Sequence, residues 1–298
     1  MALAAAESPA EIRARWAAIG LILLAQQLIT AMDTLAKLLT EDFSIWQVAW
    51  ARFAFHLLPL LPLLALTQSP TVLWKVACSP LQILRSLFMV AATCLFFGAL
   101  ARIPLADAVA LVFIAPLVIT ALAPFVLGET VSPRRWAAVA CGFTGVLILV
   151  RPGFETVELG TLLALLCGCV FAGYALATRH LSLTAPPLVT LAMSAVAGTL
   201  VLSAILLIET DLWRWPSLEQ WALLVTLGMV ACVAHGFLIM AYERAPASLL
   251  APFSYTEIIG AAAMGFLVFG DFPDLWSWIG IAIIVAAGVY NAWLGGRR

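Results

Sequence analysis

A few polar side chains stand out because the sequence around them is apolar. Gln26, Thr30, Asp33 and Lys37 follow one another at intervals of 4, 3 and 4 residues, which puts them along one face of a helix. Lys37 is placed to snorkel toward an interface. In the next apolar stretch Arg52 and His56 share a face as i and i+4. Glu257 stands eleven residues past Pro246, deep enough to act in proton coupling or to hold a substrate amine. His235 is the next candidate, although a lone histidine can equally be a satisfied packing residue. Thr93 is its counterpart in the repeat described below. Tyr174 and Tyr255 add rings with a polar end, suited to an amphipathic ligand.

Composition explains why these residues matter. The chain has 298 residues, 64% hydrophobic and 10% charged, with a mean hydropathy of +1.08. A soluble domain carries roughly 45–50% apolar and about 25% charged residues. The 15 basic and 16 acidic side chains are too few to clothe a water-facing surface, and the net charge of −1 speaks against nucleic-acid binding. No polar stretch is long enough for a soluble catalytic domain. Apolar stretches fall at roughly 15–38, 44–66, 80–101, 104–127, 133–151, 157–179, 187–208, 218–242, 246–269 and 275–295. Each approaches the ~20 residues that a spanning helix needs, and none alternates as barrel strands do. The run from Trp16 reads as a first span, not a cleaved signal, because no clear cleavage site follows it. Cys78, Cys94, Cys141, Cys167, Cys169 and Cys232 contain no CxxC pair and read as small core packers, with neither a disulfide nor a metal implied.

An arginine inside a span costs at least ~2.5–3.5 kcal/mol on insertion scales, so Arg52 calls for a partner. Asp33, Asp107 and Glu257 are the acids within or near span interiors, and Asp33 is the nearest in sequence. An Asp33–Arg52 pair would serve either as a structural staple or as a substrate-charge site. Asp107 lies in the first turn after Pro104, where a carboxylate complements the positive helix end; lining a cavity is its alternative role. Pro116 and Pro252 fall within spans and are kink candidates. Gly142 with Gly145, Gly168 with Gly173, and the run from Ala261 to Gly265 mark close helix contacts. Trp213, Trp215, Trp276, Trp278 and Trp293 read as interfacial anchors.

With the N-terminus taken as cytoplasmic, Arg13, Arg15, Lys75, Arg85, Arg134, Arg135, Arg179, Arg244, Arg297 and Arg298 fall on the inner side. Lys37, Arg102, Arg151 and Arg214 fall outside. This bias puts both termini in the cytoplasm with an even number of spans. Sliding the sequence by 142 residues sets Arg102 on Arg244, Pro104 on Pro246, Gly128 on Gly270, Glu129 on Asp271 and Trp136 on Trp278. Each half then holds five spans, so the second copy must be inverted. The fold class expected is an all-α polytopic membrane protein of ten transmembrane helices in two inverted five-helix repeats.

Residues 99–153, with the Pro104 start, the Leu127, Gly128 and Glu129 turn, and Trp136 and Gly145 after it, resemble the second half of an EamA repeat. EamA repeats belong to the drug/metabolite transporter superfamily. Residues 241–290 form a more degenerate copy, with Asp271 in place of the glutamate. The resemblance implies repeats over 1–153 and 154–298 and a secondary transporter of the bacterial inner membrane working by alternating access. Its cargo would be a small amphipathic metabolite such as an amino acid, S-adenosylmethionine or riboflavin. The expected cavity is lined by spans 1, 2, 3, 4, 6, 8 and 9. Arg52, His235 and Glu257 would offer charge there, the tyrosines stacking, and a proton is the candidate coupling ion. No cofactor is implied, and oligomeric state and direction stay open. An integral-membrane enzyme and a passive channel are the alternatives. HExxH, GxSxG, P-loop and DDxxD motifs are absent, as are filter-like repeats.

Overall fold

Backbone groups in lipid have no water to bond, so an apolar chain closes its hydrogen bonds locally, as helix. The computed structural model describes residues 9–126, 131–151, 157–181, 184–245 and 247–295. Leu127, Gly128, Glu129, Pro246, Arg297 and Arg298 lie outside them. In order the helices are α1 (Pro9–Asp42), α2 (Ile45–Thr67), α3 (Pro70–Ala77), α4 (Pro80–Leu100), α5 (Leu105–Val112), α6 (Ala115–Val126) and α7 (Pro133–Val150). Then come α8 (Leu159–Leu181), α9 (Pro187–Ile208), α10 (Leu218–Arg244), α11 (Ala247–Ser254), α12 (Thr256–Met264) and α13 (Leu275–Gly295). Counting α5–α6 and α11–α12 as one broken span each, ten segments are long and apolar enough to cross a membrane. Helix α1 has 34 residues, about 50 Å at 1.5 Å per residue, and outruns a hydrocarbon core of about 30 Å. Helix α3 was not foreseen; it lies between the second and third spans and buries Val76 against Leu60 and Leu64.

Packing follows the internal repeat. Exchanging the halves turns α1 into α8, α4 into α10 and α7 into α13. Helix α1 lies along α10, and α8 correspondingly lies along α4. Helices α7 and α13, each the other's counterpart, pack on one another. Close approach there needs glycine. A Cβ on Gly145 would stand 2.9 Å from the Gly280 carbonyl, and a Cβ on Gly280 the same distance from that of Gly145. The expected small-residue contacts recur at Gly142, against Leu117 and Ala287, and at Gly173, against the Phe88 ring.

Both broken spans break at the same repeat position. Helix α5 ends just before Phe113, and α12 begins after Tyr255, which is 142 residues on from Phe113. The two rings meet at 4.7 Å between centroids with 32° between planes. Pro116 was expected to kink the fourth span in mid-helix. The break comes just before it: Pro116 occupies the first turn of α6, where its missing N–H leaves Val112 without an i+4 donor. Pro252 sits inside α11, and the chain breaks three residues later. The cysteines also differ from expectation. All six are free, Cys167 and Cys232 are buried, but Cys78, Cys141 and Cys169 are on the outside of the bundle. A weakly polar thiol is tolerated on that surface, which is built for apolar surroundings.

Candidate functional site: a cavity between the two repeats

A cavity of about 520 Å³ lies between the halves. Its midplane end is bounded by Asp33 of α1, Arg52 of α2, Thr93 of α4, His235 of α10, and Tyr255 and Glu257 at the second break. It extends past Gln26, Pro116, Phe171 and Ser254 to Thr120, Arg135, Tyr242 and Asn291. Those last residues belong to the ends of α6, α7, α10 and α13 on the face where α1 begins and α13 finishes. Spans 5 and 10 therefore add to the lining expected, through Arg135 and Asn291. These two are tied together. Arg135 Nε donates to Asn291 Oδ1 at 3.0 Å, and Asn291 Nδ2 donates to Thr120 Oγ1 at 2.6 Å.

The opposite face is shut. The far halves α5 and α12 pack on each other, whereas α6 and α11 make no comparable contact among the described residues. Lys37 reaches the connections of this face. Its Nζ donates to the Ile103 carbonyl at 2.7 Å, lies 4.0 Å from Asp271 Oδ2 and sits over the Phe269 ring. Beside it Arg151 pairs with Asp274. Hydrogen bonds from Arg151 and the Ser277 N–H hold the Asp274 carboxyl down to about 2.

At the midplane, Arg52 is 6% exposed and Asp33 1%. They lie within electrostatic range of each other, yet no ion pair within 4 Å joins them among the described residues. Arg52 Nη1 instead donates to Thr93 Oγ1 at 3.2 Å, and the guanidinium lies over the Phe53 ring. Asp33 is also within range of Glu257 on the other repeat. His235 donates from Nδ1 to the Ala231 carbonyl at 2.7 Å, so its Nε2 is left as an acceptor. Asp33 Oδ1 and Gln26 Oε1 are buried without a hydrogen-bond partner among the described residues. Buried polar atoms are nearly always paired, so each such orphan calls for an explanation.

Other candidates stand apart from the cavity. His56 is buried behind it, its ring 5.7 Å from that of His235. Thr30 is buried in the seam between α1 and α12. Asp107 lies at the shut face among Asp271, Asp274 and Arg151. Tyr174 accepts a hydrogen bond from Arg85 Nη2 at 2.6 Å. Arg85, counted among the cations of the inner side, is a core residue there. It is 3% exposed within α4 and also donates to Thr178, Ser194 and the Thr190 carbonyl. Its place five residues past Pro80, inside the helix, was the available clue. A second groove, about 730 Å³, runs along the outside of α11, α12 and α13 and is lined without a charged side chain.

Ten spans in two inverted repeats, enclosing a part-polar cavity that is shut at one face, define a multi-pass membrane transporter. The chain belongs to the EamA-like transporter family, whose model matches residues 16–151 and 158–291. It is 32% identical to a riboflavin transporter of Rhizobium johnstonii, over 64% of this chain and 63% of that one. It is 29% identical to an S-adenosylmethionine uptake transporter of Rickettsia felis, over 91% of each. A pseudopaline exporter of Pseudomonas aeruginosa is 26% identical over 90% of this chain and 93% of its own length. A solved structure described only as that of a protein superposes with a TM-score of 0.65 at 19% identity, covering 96% of this chain and 98% of its own; it supports the fold. The relatives are named as transporters in both directions, uptake and export, which points away from an enzyme.

Proposed function

We infer that this protein is a secondary carrier of the bacterial inner membrane, with both termini cytoplasmic, that moves a small amphipathic metabolite by alternating access. The two halves, 1–153 and 154–298, would rock about the cavity. The observation that carries the reading is the inequality of two mates. Contact α5–α12 becomes α11–α6 when the halves are exchanged, and among the described residues only the first is extensive. A state with α6 and α11 together and α5 and α12 apart would open the cavity to the other side. A cavity of about 520 Å³ is within the usual range for small-molecule sites, ~300–1,000 Å³. In this reading Arg52, His235 and Glu257 meet the polar part of the cargo, and Phe113 and Tyr255 meet its flat or apolar part. A proton is the candidate coupling ion, with Asp33 or Glu257 as its carrier.

The test is a thermal-shift screen of the purified protein against metabolites that include riboflavin and S-adenosylmethionine, followed by uptake into proteoliposomes. A carrier gives saturable uptake and counterflow of labelled cargo. Linear uptake without counterflow would mean a channel, and a chemically altered cargo would mean an enzyme.

A further inference from the structure

The acceptors at the midplane end of the cavity come from both repeats and are short of donors. Asp33 Oδ1 and Gln26 Oε1 are buried without partners and line the cavity, their residues 1% and 5% exposed. Gln26 Nε2 donates to the Ser254 carbonyl, which fixes its amide so that Oε1 is the free atom. Glu257 lines the same end, within electrostatic range of Asp33, and His235 presents Nε2 as an acceptor. Arg135 lies at the far end of the cavity, and among the described residues at this end two acidic side chains face one cation, Arg52, whose Nη1 donates to Thr93. Beside them the tilted Phe113 and Tyr255 rings also line the cavity, and a ring face attracts a cation.

We propose that Gln26, Asp33 and Glu257 form a subsite for a positively charged nitrogen of the transported molecule, so that the cargo is an organic cation or a zwitterion, not a neutral or purely anionic compound. The proposal rests on the carrier reading and narrows it. One ammonium bearing several N–H donors would fill both orphaned oxygens and neutralise the excess carboxylate. It would also tie the gate to the cargo. Asp33 and Gln26 are on α1, and Glu257 is on the first turn of α12. A cation held between them bridges a straight span of one repeat to the break of the other, and its departure leaves two carboxylates facing each other across that seam.

The probes are four compounds with one indole body: tryptamine, tryptophan, tryptophol and indole-3-propionate. They are measured by thermal shift and equilibrium binding at pH 7.5 on the full chain, beside a metabolite library sorted by charge. Hits are expected to carry a cationic nitrogen, with tryptamine and tryptophan binding at least tenfold more tightly than the other two. Asp33→Asn and Glu257→Gln should each weaken the cationic hits by tenfold or more, and Asp33→Glu should restore part of the loss. Arg52→Gln should tighten tryptamine several-fold, a change in the direction that general misfolding cannot produce. Monodispersity by size exclusion confirms that each variant folds. Neutral or anionic hits, or cationic hits that bind equally well to both carboxylate variants, would overturn the subsite. If riboflavin alone binds and is carried, the carrier reading survives and the cation subsite fails. If no compound of any charge binds or moves, both fail together.

Discussion

The two broken spans occupy equivalent places in the repeat but are held by different chemistry. Span 4, at the junction of α5 and α6, lies on α8 through small and apolar groups. A Cβ on Gly168 would stand 2.5 Å from Ile114 Cγ2 and 3.1 Å from the Val112 carbonyl. Span 9, at the junction of α11 and α12, lies on α1 through polar side chains. Gln26 donates to the Ser254 carbonyl at 3.3 Å, Gln27 to that of Thr256 at 3.2 Å, and Thr30 to that of Glu257 at 3.4 Å. These bonds are at the long end of the range and can be exchanged for water or cargo. A close-packed seam has no such substitute for its contacts. In the alternating-access reading proposed above, this difference would make the first break the fixed wall and the second the moving gate.

The largest expected effect tests the wall. Gly168→Ala pushes a methyl into Ile114 and toward the Val112 backbone, and overpacking of this kind costs typically 1–3 kcal/mol. Gly260→Ala looks equally crowded, with a Cβ 2.4 Å from Gln27 Oε1. That atom ends a flexible side chain which can swing away. Thermal unfolding in detergent should therefore show a clear fall for Gly168→Ala and little change for Gly260→Ala. Uptake assays on Gly260→Ala, still folded, should show an altered rate. Equal loss of stability in the two variants would erase the distinction between wall and gate.

This difference could be read only in part from the sequence. Ten spans follow from apolar length alone, and the inversion follows from an offset that pairs prolines, tryptophans and charges. The 142-residue offset even sets Gln26 on Gly168 and Phe113 on Tyr255, so the unequal seams were present in the letters. What pattern reasoning lacked was depth and direction. Arg85 was read only for the side on which it falls, while its partners lie on α8 and α9, about ninety to one hundred and ten positions away. Asp33 and Arg52 looked like a natural pair because adjacent spans bring them together. Which rotamer each adopts, and hence Thr93 as the partner of Arg52, is settled by packing from other spans. Pro116 announced the interruption of span 4, because a missing N–H frees the carbonyl one turn back, but not that the proline itself would stand in the first turn of the next helix.

A smaller effect concerns the shut face, which is also held by ionic contacts. Lys37 bridges α1 to Ile103 and to Asp271, with side chains 14% and 41% exposed. Partly exposed pairs contribute at most about 1 kcal/mol, and the carbonyl hydrogen bond adds a similar amount. Lys37→Met should thus shift the balance toward opening of this face by roughly five- to thirty-fold. A cysteine introduced at Ala106, which is 2% exposed on α5, should then react correspondingly faster with a membrane-impermeant thiol reagent applied from that side. An unchanged rate would assign the closure to the packing of α5 on α12 alone.

The smallest effect isolates the second ion pair of that face. Asp274 is held at about 2 chiefly by the hydrogen bond from Arg151, against an ordinary value near 3.9. A carboxyl lowered in the folded protein stabilises it fully above the ordinary value, and the contribution fades as pH falls toward the lowered one. The pair is therefore complete from neutral pH down to about 4 and is lost between about 4 and 2. Because the Asp274 side chain is 52% exposed, solvent screening keeps the effect small. Comparing wild type with Arg151→Met removes the contribution of every other carboxyl. The midpoints of thermal unfolding should differ slightly and by a constant amount from pH 8 to 5, and should converge on acidification to pH 2. A difference that stays constant to pH 2 would mean that Arg151 acts through its position at the end of α7, where its backbone is left-handed at φ 51°, and not through its charge on Asp274.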